Sequence, residues 1–229
     1  MHIKFLIALL AAMPVLCHAG TVSSDQSFSG SFGVDNQEQF FSLVASSPTV
    51  LSAETWSYGG GVNAAGKSIQ SGGFAPAISI FNAQGQLIAL DDTGGSAPSG
   101  CGSRNIDPST QSCFDASIPS LQLSAGDYTL VLTEQGNDPV GLLGDGFSED
   151  GSNGNDPSFT GTNAGMPGAM FLDPGNFSQR TNQWALDIEG NGITVSETPE
   201  PTTFFMLGTG FFLVVISKTN HFKRKRKSS

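Results

Sequence analysis

Between residues 37 and 189 the apolar residues come in short runs with a period of two, and glycine, proline, asparagine or aspartate separates the runs. Successive side chains of a strand point to opposite faces, so this period selects β-strands and excludes amphipathic helices over the same stretches. Residues 37–45 (QEQFFSLVA) place Phe41 and Leu43 on one face and Phe40 and Val44 on the other. Strands are predicted next at 50–56 and 75–81, the latter with Ile78 and Ile80 together. The Asn82-Ala83-Gln84-Gly85 turn leads into 86–90. Leu121 and Leu123 precede a second turn, Ser124-Ala125-Gly126, and a strand over 127–133 (DYTLVLT); 183–189 (QWALDIE) closes the domain. Many short strands joined by turns predict an all-β, antiparallel β-sandwich of jelly-roll-like type. Two segments read as loops: the Gly-rich 58–73, and 137–177, with Phe147, Phe159 and Phe171 as its anchors.

Both ends of the chain break this pattern. Lys4 precedes an apolar run from Phe5 to Leu16, and the small residues Cys17 and Ala19 sit at −3 and −1 of a cut before Gly20. This order predicts a signal peptide over 1–19, removed by signal peptidase. At the other end Phe204 to Ile216 is apolar, and the uncharged stretch 201–217 would span roughly 25 Å as a helix. That is slightly short of a ~30 Å hydrocarbon core, so 202–217 is expected to be a single, marginal transmembrane helix. The basic tail Lys223, Arg224, Lys225, Arg226 and Lys227, with Lys218 ahead of it, predicts a cytoplasmic end and an exported domain upstream.

Pro199-Glu200-Pro201 stands directly before that apolar segment. Pro-Glu-Pro, apolar helix and basic end, in this order over residues 197–229, resemble the PEP-CTERM sorting signal of Gram-negative bacteria. The resemblance implies an exosortase as partner, with cleavage near Pro199, Glu200 and Pro201. It implies an inner-membrane anchor with a periplasmic ectodomain before processing. Release or re-attachment at the cell surface would follow, in a setting that makes exopolysaccharide.

The segment left between the two ends, 20–196, is long enough for one domain with a core of its own. Of the chain's ten Lys and Arg, only Lys67, Arg104 and Arg180 fall within it, whereas all twenty acids lie between Asp25 and Glu200. Phosphate neutralisation requires many Lys and Arg, so nucleic acid is excluded as a partner. Cys17 leaves with the signal peptide, and Cys101 and Cys113 are two thiols in an oxidising compartment; a Cys101–Cys113 disulfide is predicted.

The blocks FSLVASSPTVLSAETWSYGGG, APAISIFNAQGQLIALDDTGG, LQLSAGDYTLVLTEQGN and RTNQWALDI, within residues 27–190, are similar to secreted sandwich domains that precede PEP-CTERM tails. More distantly they resemble the bacterial pre-peptidase C-terminal domain. The resemblance implies a β-sandwich of accessory or binding type without an established activity.

The three histidines, His2, His18 and His221, all lie in the end segments. A domain without histidine has no Ser-His-Asp or Cys-His machinery and no histidine-ligated metal. Paired carboxylates remain available for glycoside chemistry, but no pair is singled out by spacing. Asp91-Asp92-Thr93-Gly94-Gly95, with Asp115 beyond the second cysteine, offers the hard oxygen ligands that Ca²⁺ prefers. Asp145, Glu149, Asp150, Asn155 and Asp156 form a second acidic cluster. Neither has EF-hand spacing, and solvated loop acids are the other reading of both. Trp56 and Trp184 read as core residues rather than sugar platforms. The function expected is therefore a non-enzymatic, structural or adhesive surface protein linked to exopolysaccharide. A calcium- or carbohydrate-binding module is the alternative, and a carboxylate-based polysaccharide-modifying enzyme a third.

Overall fold

The computed structural model describes residues 25–96, 99–150 and 170–198. The expected signal peptide 1–19, the Pro199–Pro201 motif, the expected span 202–217, the basic tail and Phe159 lie outside the described residues. Among those described, no helix is long and apolar enough to cross a membrane.

Seven strands run in the order β1 (Asp25–Ser31), β2 (Gln39–Ala45), β3 (Thr49–Thr55), β4 (Gly61–Val62), β5 (Ser68–Ile69), β6 (Pro76–Asn82) and β7 (Leu87–Asp91). Six follow: β8 (Gly95–Ser96), β9 (Ser112–Cys113), β10 (Ser117–Leu123), β11 (Gly126–Glu134), β12 (Gln183–Glu189) and β13 (Ile193–Thr198). A four-stranded sheet in the order β1-β12-β3-β10 faces a five-stranded sheet in the order β13-β2-β11-β6-β7, and every pairing is antiparallel. One core lies between them. It takes Leu51, Ala53, Ile118, Trp184, Leu186 and Ile188 from the first sheet and Phe41, Leu43, Ile78, Ile80, Leu130 and Leu132 from the second. This is the β-sandwich arrangement expected from the period-two runs, with the inward residues those the alternation placed together.

Local chemistry fixes the joints. The Asn82 side-chain oxygen accepts the backbone N–H groups of Gln84 and Gln86, at 3.0 and 2.9 Å, and Gly85 takes φ 73°. That turn sets the β6–β7 hairpin. Pro76, which lacks an N–H, is tolerated within the sheet because it is the first residue of β6.

Three features depart from the expectation. β1 and β13 are additional strands, each added to a sheet edge. The segment 58–73, read as loop, carries the short β4–β5 ladder. The described part of 137–177 folds back over the sandwich. Phe147 joins Phe40, Phe81 and Val131 in a second apolar cluster on the outer face of the five-stranded sheet, while Phe171 enters the main core. That cover explains why β6 is buried on both faces.

Candidate functional site

The Cys101–Cys113 disulfide forms as expected, with an S–S distance of 2.03 Å. Within the loop it closes lies Asp107, whose carboxylate meets Arg180 Nη2 at 2.5 Å. Arg180 is buried, and its Nε and Nη2 also donate to the carbonyls of Gly73 and Tyr58, at 3.0 and 3.1 Å. The guanidinium lies 4.0 Å from the centroid of the Tyr58 ring. The Tyr58 hydroxyl donates to Asp173 at 2.5 Å, and Arg180 Nη1 stands 3.8 Å from the same carboxylate. Burial, and then the bond to Asp173, raise the Tyr58 phenol. Burial alone would raise Asp107 too, but hydrogen bonds from Ser109 and Arg180 outweigh it and hold that carboxyl below its ordinary range. This hub locks the 58–73, 101–113 and 171–180 segments together. In the sequence Arg180 stands out only as one of three bases; its partners at 58, 73, 107 and 173 become visible only in the fold.

The candidate calcium residues have protein partners. Asp91 accepts hydrogen bonds from Thr93 Oγ1 at 2.5 Å and from the Ser117 N–H at 2.6 Å, and it pairs with Arg104 at 2.6 Å. Burial would raise it, yet those donors hold it low. Asp115 is sequestered under the 55–59 segment, taking the N–H groups of Tyr58 and Gly59 at 3.0 and 2.6 Å and the Thr55 hydroxyl at 3.0 Å. Burial pushes its carboxyl up to about 6 against those bonds. Asp92 offers its backbone carbonyl to Gln135 Nε2 at 2.5 Å. In the second acidic cluster Asp145 accepts the Leu142 N–H and Asp150 the Phe147 N–H, as turn caps. Asn155 and Asp156 lie outside the described residues. No group of three or more His, Cys, Asp or Glu side chains that could hold a metal occurs among the described residues.

Two concavities lie on the four-stranded sheet. The larger, about 440 Å³, is lined by Ser29, Gly30 and Ser31 of β1, Gln183 and Trp184 of β12, and Ser57 with the 67–70 segment. Its wall is rich in hydroxyl and amide groups and carries Lys67. The Trp184 ring packs in the core at 5% exposure, as the sequence suggested, and its indole N–H is buried without an acceptor. Gly30 is required there, because a Cβ would stand 2.6 Å from Trp184 Cζ2. Trp56 is only half-buried and donates its indole N–H to Asp187 at 2.6 Å.

The smaller groove, about 220 Å³, is lined by Glu54, Asp187 and Glu189 with Ser52, Ser103 and Ser117. Glu54 and Asp187 are direct cross-strand partners. Burial, followed by the nearby Asp115, Asp187 and Glu189 carboxylates, raises Glu54. Asp187, by contrast, is fixed by Ser27, Trp56 and Ala64, at 2.5, 2.6 and 2.7 Å. The local sequence gives no sign of this groove, since Glu54 and Asp187 are far apart in the chain and meet only through the β3–β12 pairing. Compared with family models, curated proteins and solved structures, the chain matches none of them.

Proposed function

We propose that this chain is an exported, exosortase-sorted surface protein whose jelly-roll-like sandwich has a non-enzymatic, structural or adhesive role in an exopolysaccharide matrix. The observation that carries the reading is the C-terminal order of Pro199-Glu200-Pro201, apolar segment and basic cluster. The fold is compatible with it: β13 ends at Thr198, so the folded domain reaches the residue before the motif. Buried polar groups such as Arg180 and Asp115 hold segments of the sandwich together, which suits a scaffold. Before processing, the domain stands on the periplasmic side of the inner membrane; afterwards it is at the surface or outside the cell.

Intact-mass measurement of the protein from its native host, with and without the exosortase, tests the proposal. Loss of both ends, near Gly20 and Pro199, only when exosortase is present supports it. A tail retained in both strains refutes sorting and leaves a plain anchored domain.

The hydroxyl- and amide-lined cleft beside β1 and β12 favours carbohydrate binding as a second reading. Retention of the host's own polymer by the protein, reduced in a Gln183→Ala variant, supports it. Equal retention of variant and wild type removes the cleft from consideration.

A further inference from the structure

An Asp-Pro peptide bond carries its own nucleophile. The aspartate carboxyl can attack the carbonyl carbon of the same residue through a five-membered ring, and the proline nitrogen, which has no hydrogen, departs as a basic secondary amine. Four such bonds occur in the chain: Asp107-Pro108, Asp138-Pro139, Asp156-Pro157 and Asp173-Pro174. Asp156-Pro157 lies outside the described residues. The other three share one main-chain setting, because the carbonyls of Asp107, Asp138 and Asp173 accept the N–H groups of Gln111, Ser148 and Phe177 at 2.9, 2.8 and 2.9 Å. Their carboxyl groups differ.

Asp107 Oδ1 accepts the Ser109 N–H and hydroxyl, both at 2.6 Å, and its Oδ2 meets Arg180 at 2.5 Å. Asp173 Oδ1 accepts the Gly175 and Asn176 N–H groups at 2.9 and 3.1 Å, and its Oδ2 holds the Tyr58 hydroxyl. Attack by either carboxyl would have to break such bonds first, and those from a charged donor are the strongest. Asp138 is not held in this way. Its Oδ1 is shielded from solvent and accepts no hydrogen bond among the described residues. The bond itself is fixed on both sides: Ser148 Oγ accepts the Asp138 N–H at 3.1 Å, and the buried Asn137 side chain bridges the Asn36 carbonyl and the Glu149 N–H. Burial, with Asp92 adding to it, raises the Asp138 carboxyl, whereas Asp107 is held low. The charged groups on the adjoining segments are acids: Asp35 and Glu38 before β2, Asp92 after β7, Glu134 in β11, and Glu149 and Asp150 after Ser148. The bases of the described residues are placed elsewhere, Arg104 on Asp91, Arg180 on Asp107 and Lys67 on the cleft of the opposite sheet.

We infer that the Asp138–Pro139 bond is a self-cleavage site, in which the unheld Asp138 carboxyl cuts the chain on its own C-terminal side. A carboxyl oxygen bonds to the Asp138 carbonyl carbon, the C–N bond to Pro139 breaks, and the carboxyl proton passes to the Pro139 nitrogen. Water then opens the cyclic anhydride to two carboxyl groups. The sum is addition of one water, with no oxidation or reduction. Cys101 and Cys113 both precede the cut, so the disulfide does not join the halves. β12 and β13 follow it and remain paired with β1, β3 and β2, so the nicked domain stays together until denatured. The inference is independent of the sorting reading, because it concerns the folded domain whether or not the tail is removed.

The test holds the purified full chain in detergent at about pH 5, where a raised carboxyl keeps more of its proton than an ordinary aspartate. Fragments are read by mass spectrometry after denaturation. A new N-terminus beginning Pro139-Val140-Gly141 is expected, with fragment masses that sum to the parent plus one water. It should form about tenfold or more faster than cuts after Asp107 or Asp173, because only its nucleophile is free to close the ring. In urea at the same pH the three bonds should cleave at comparable rates. Asp138→Ala removes the attacking group and should lower formation of this fragment about tenfold or more. Pro139→Ala removes the leaving group and gives the same readout should Asp138→Ala fail to fold. Asp92→Asn should move the pH profile of cleavage to lower pH without moving the cut. Absence of the Pro139 terminus from the native chain overturns the inference. Equal native rates at the three bonds, or the same preference in urea, overturn it as well.

Discussion

Replacing Arg180 by Met should destabilise the domain by about 3–5 kcal/mol, the range for removing one partner of a buried ion pair. Methionine keeps an unbranched apolar stem, so the loss is concentrated in the guanidinium. That group offers two carboxylate contacts, to Asp107 and Asp173, and two carbonyl hydrogen bonds, to Gly73 and Tyr58. Its stacking on Tyr58 adds up to ~2 kcal/mol when desolvated, although methionine restores some of that through sulfur–aromatic contact. Asp107 and Asp173 are each about 1% exposed, so water cannot rescue them. The assay is urea denaturation with the disulfide intact, followed by tryptophan fluorescence. With a slope near ~2 kcal/mol/M, the midpoint should fall by about 2 M. Asp107→Asn in the Arg180→Met background should cost much less than in wild type, because the charge left behind is then removed; a coupling of about 1–3 kcal/mol is expected. A loss below about 1 kcal/mol with an unchanged slope, or strict additivity of the two substitutions, refutes the hub as an energetic unit.

Removing the disulfide as Cys101→Ser with Cys113→Ser opens a loop of sequence separation 12 and should cost about 3 kcal/mol by loop-closure entropy. For a domain of this size that is a drop of roughly 6–12 °C in Tm, and no change would refute a stabilising bridge. Asp115 gives a pH signature. Its folded value of about 6 exceeds the ordinary 3.8, so the folded state binds the proton more tightly. Its stabilisation is full below about pH 4 and is lost as pH rises through 6, about 3 kcal/mol in all. Asp91 and Asp107, held low, lose stability only as pH falls below the ordinary carboxylate range and do not contribute in this window. Asp115→Asn should therefore flatten the decline in Tm between pH 4 and 6.5 relative to wild type; an identical profile would refute the assignment.

The strands legible in the sequence are those whose alternation is itself the burial pattern. The periodicity delimits β12 to the residue, and β2, β6 and β11 to within one or two. β1 is not legible because DQSFSGS has one large apolar residue, Phe28, which packs against Phe41 with ring centroids 5.0 Å apart. Such an edge strand is specified by its partner β12 rather than by its own pattern. The acids at 91, 92 and 115 stand out as a local cluster, yet what decides their role is donors remote in sequence: Arg104, Ser117, and the N–H groups at 58 and 59. Glu134 lies at the end of the β11 run and reads as a strand terminus. Only the meeting of the 32–38 loop with the β11 exit shows that it is buried beside another carboxylate.

β13 runs along β2 from Ile193 opposite Ala45 to Thr198 opposite Phe40 and lies at the edge of its sheet. Any tension on the chain beyond residue 198 therefore enters the fold at Thr198. Pulled along the strand axis, the six residue pairs bear the load together and yield only at high force. Pulled away from the sheet, they separate in succession from Thr198 back to Ile193, each rupture requiring little force. The direction of pull thus decides whether the domain is a firm mechanical link or one that peels open, and peeling would bare the edge of β2, the strand that carries Phe41 and Leu43 into the core.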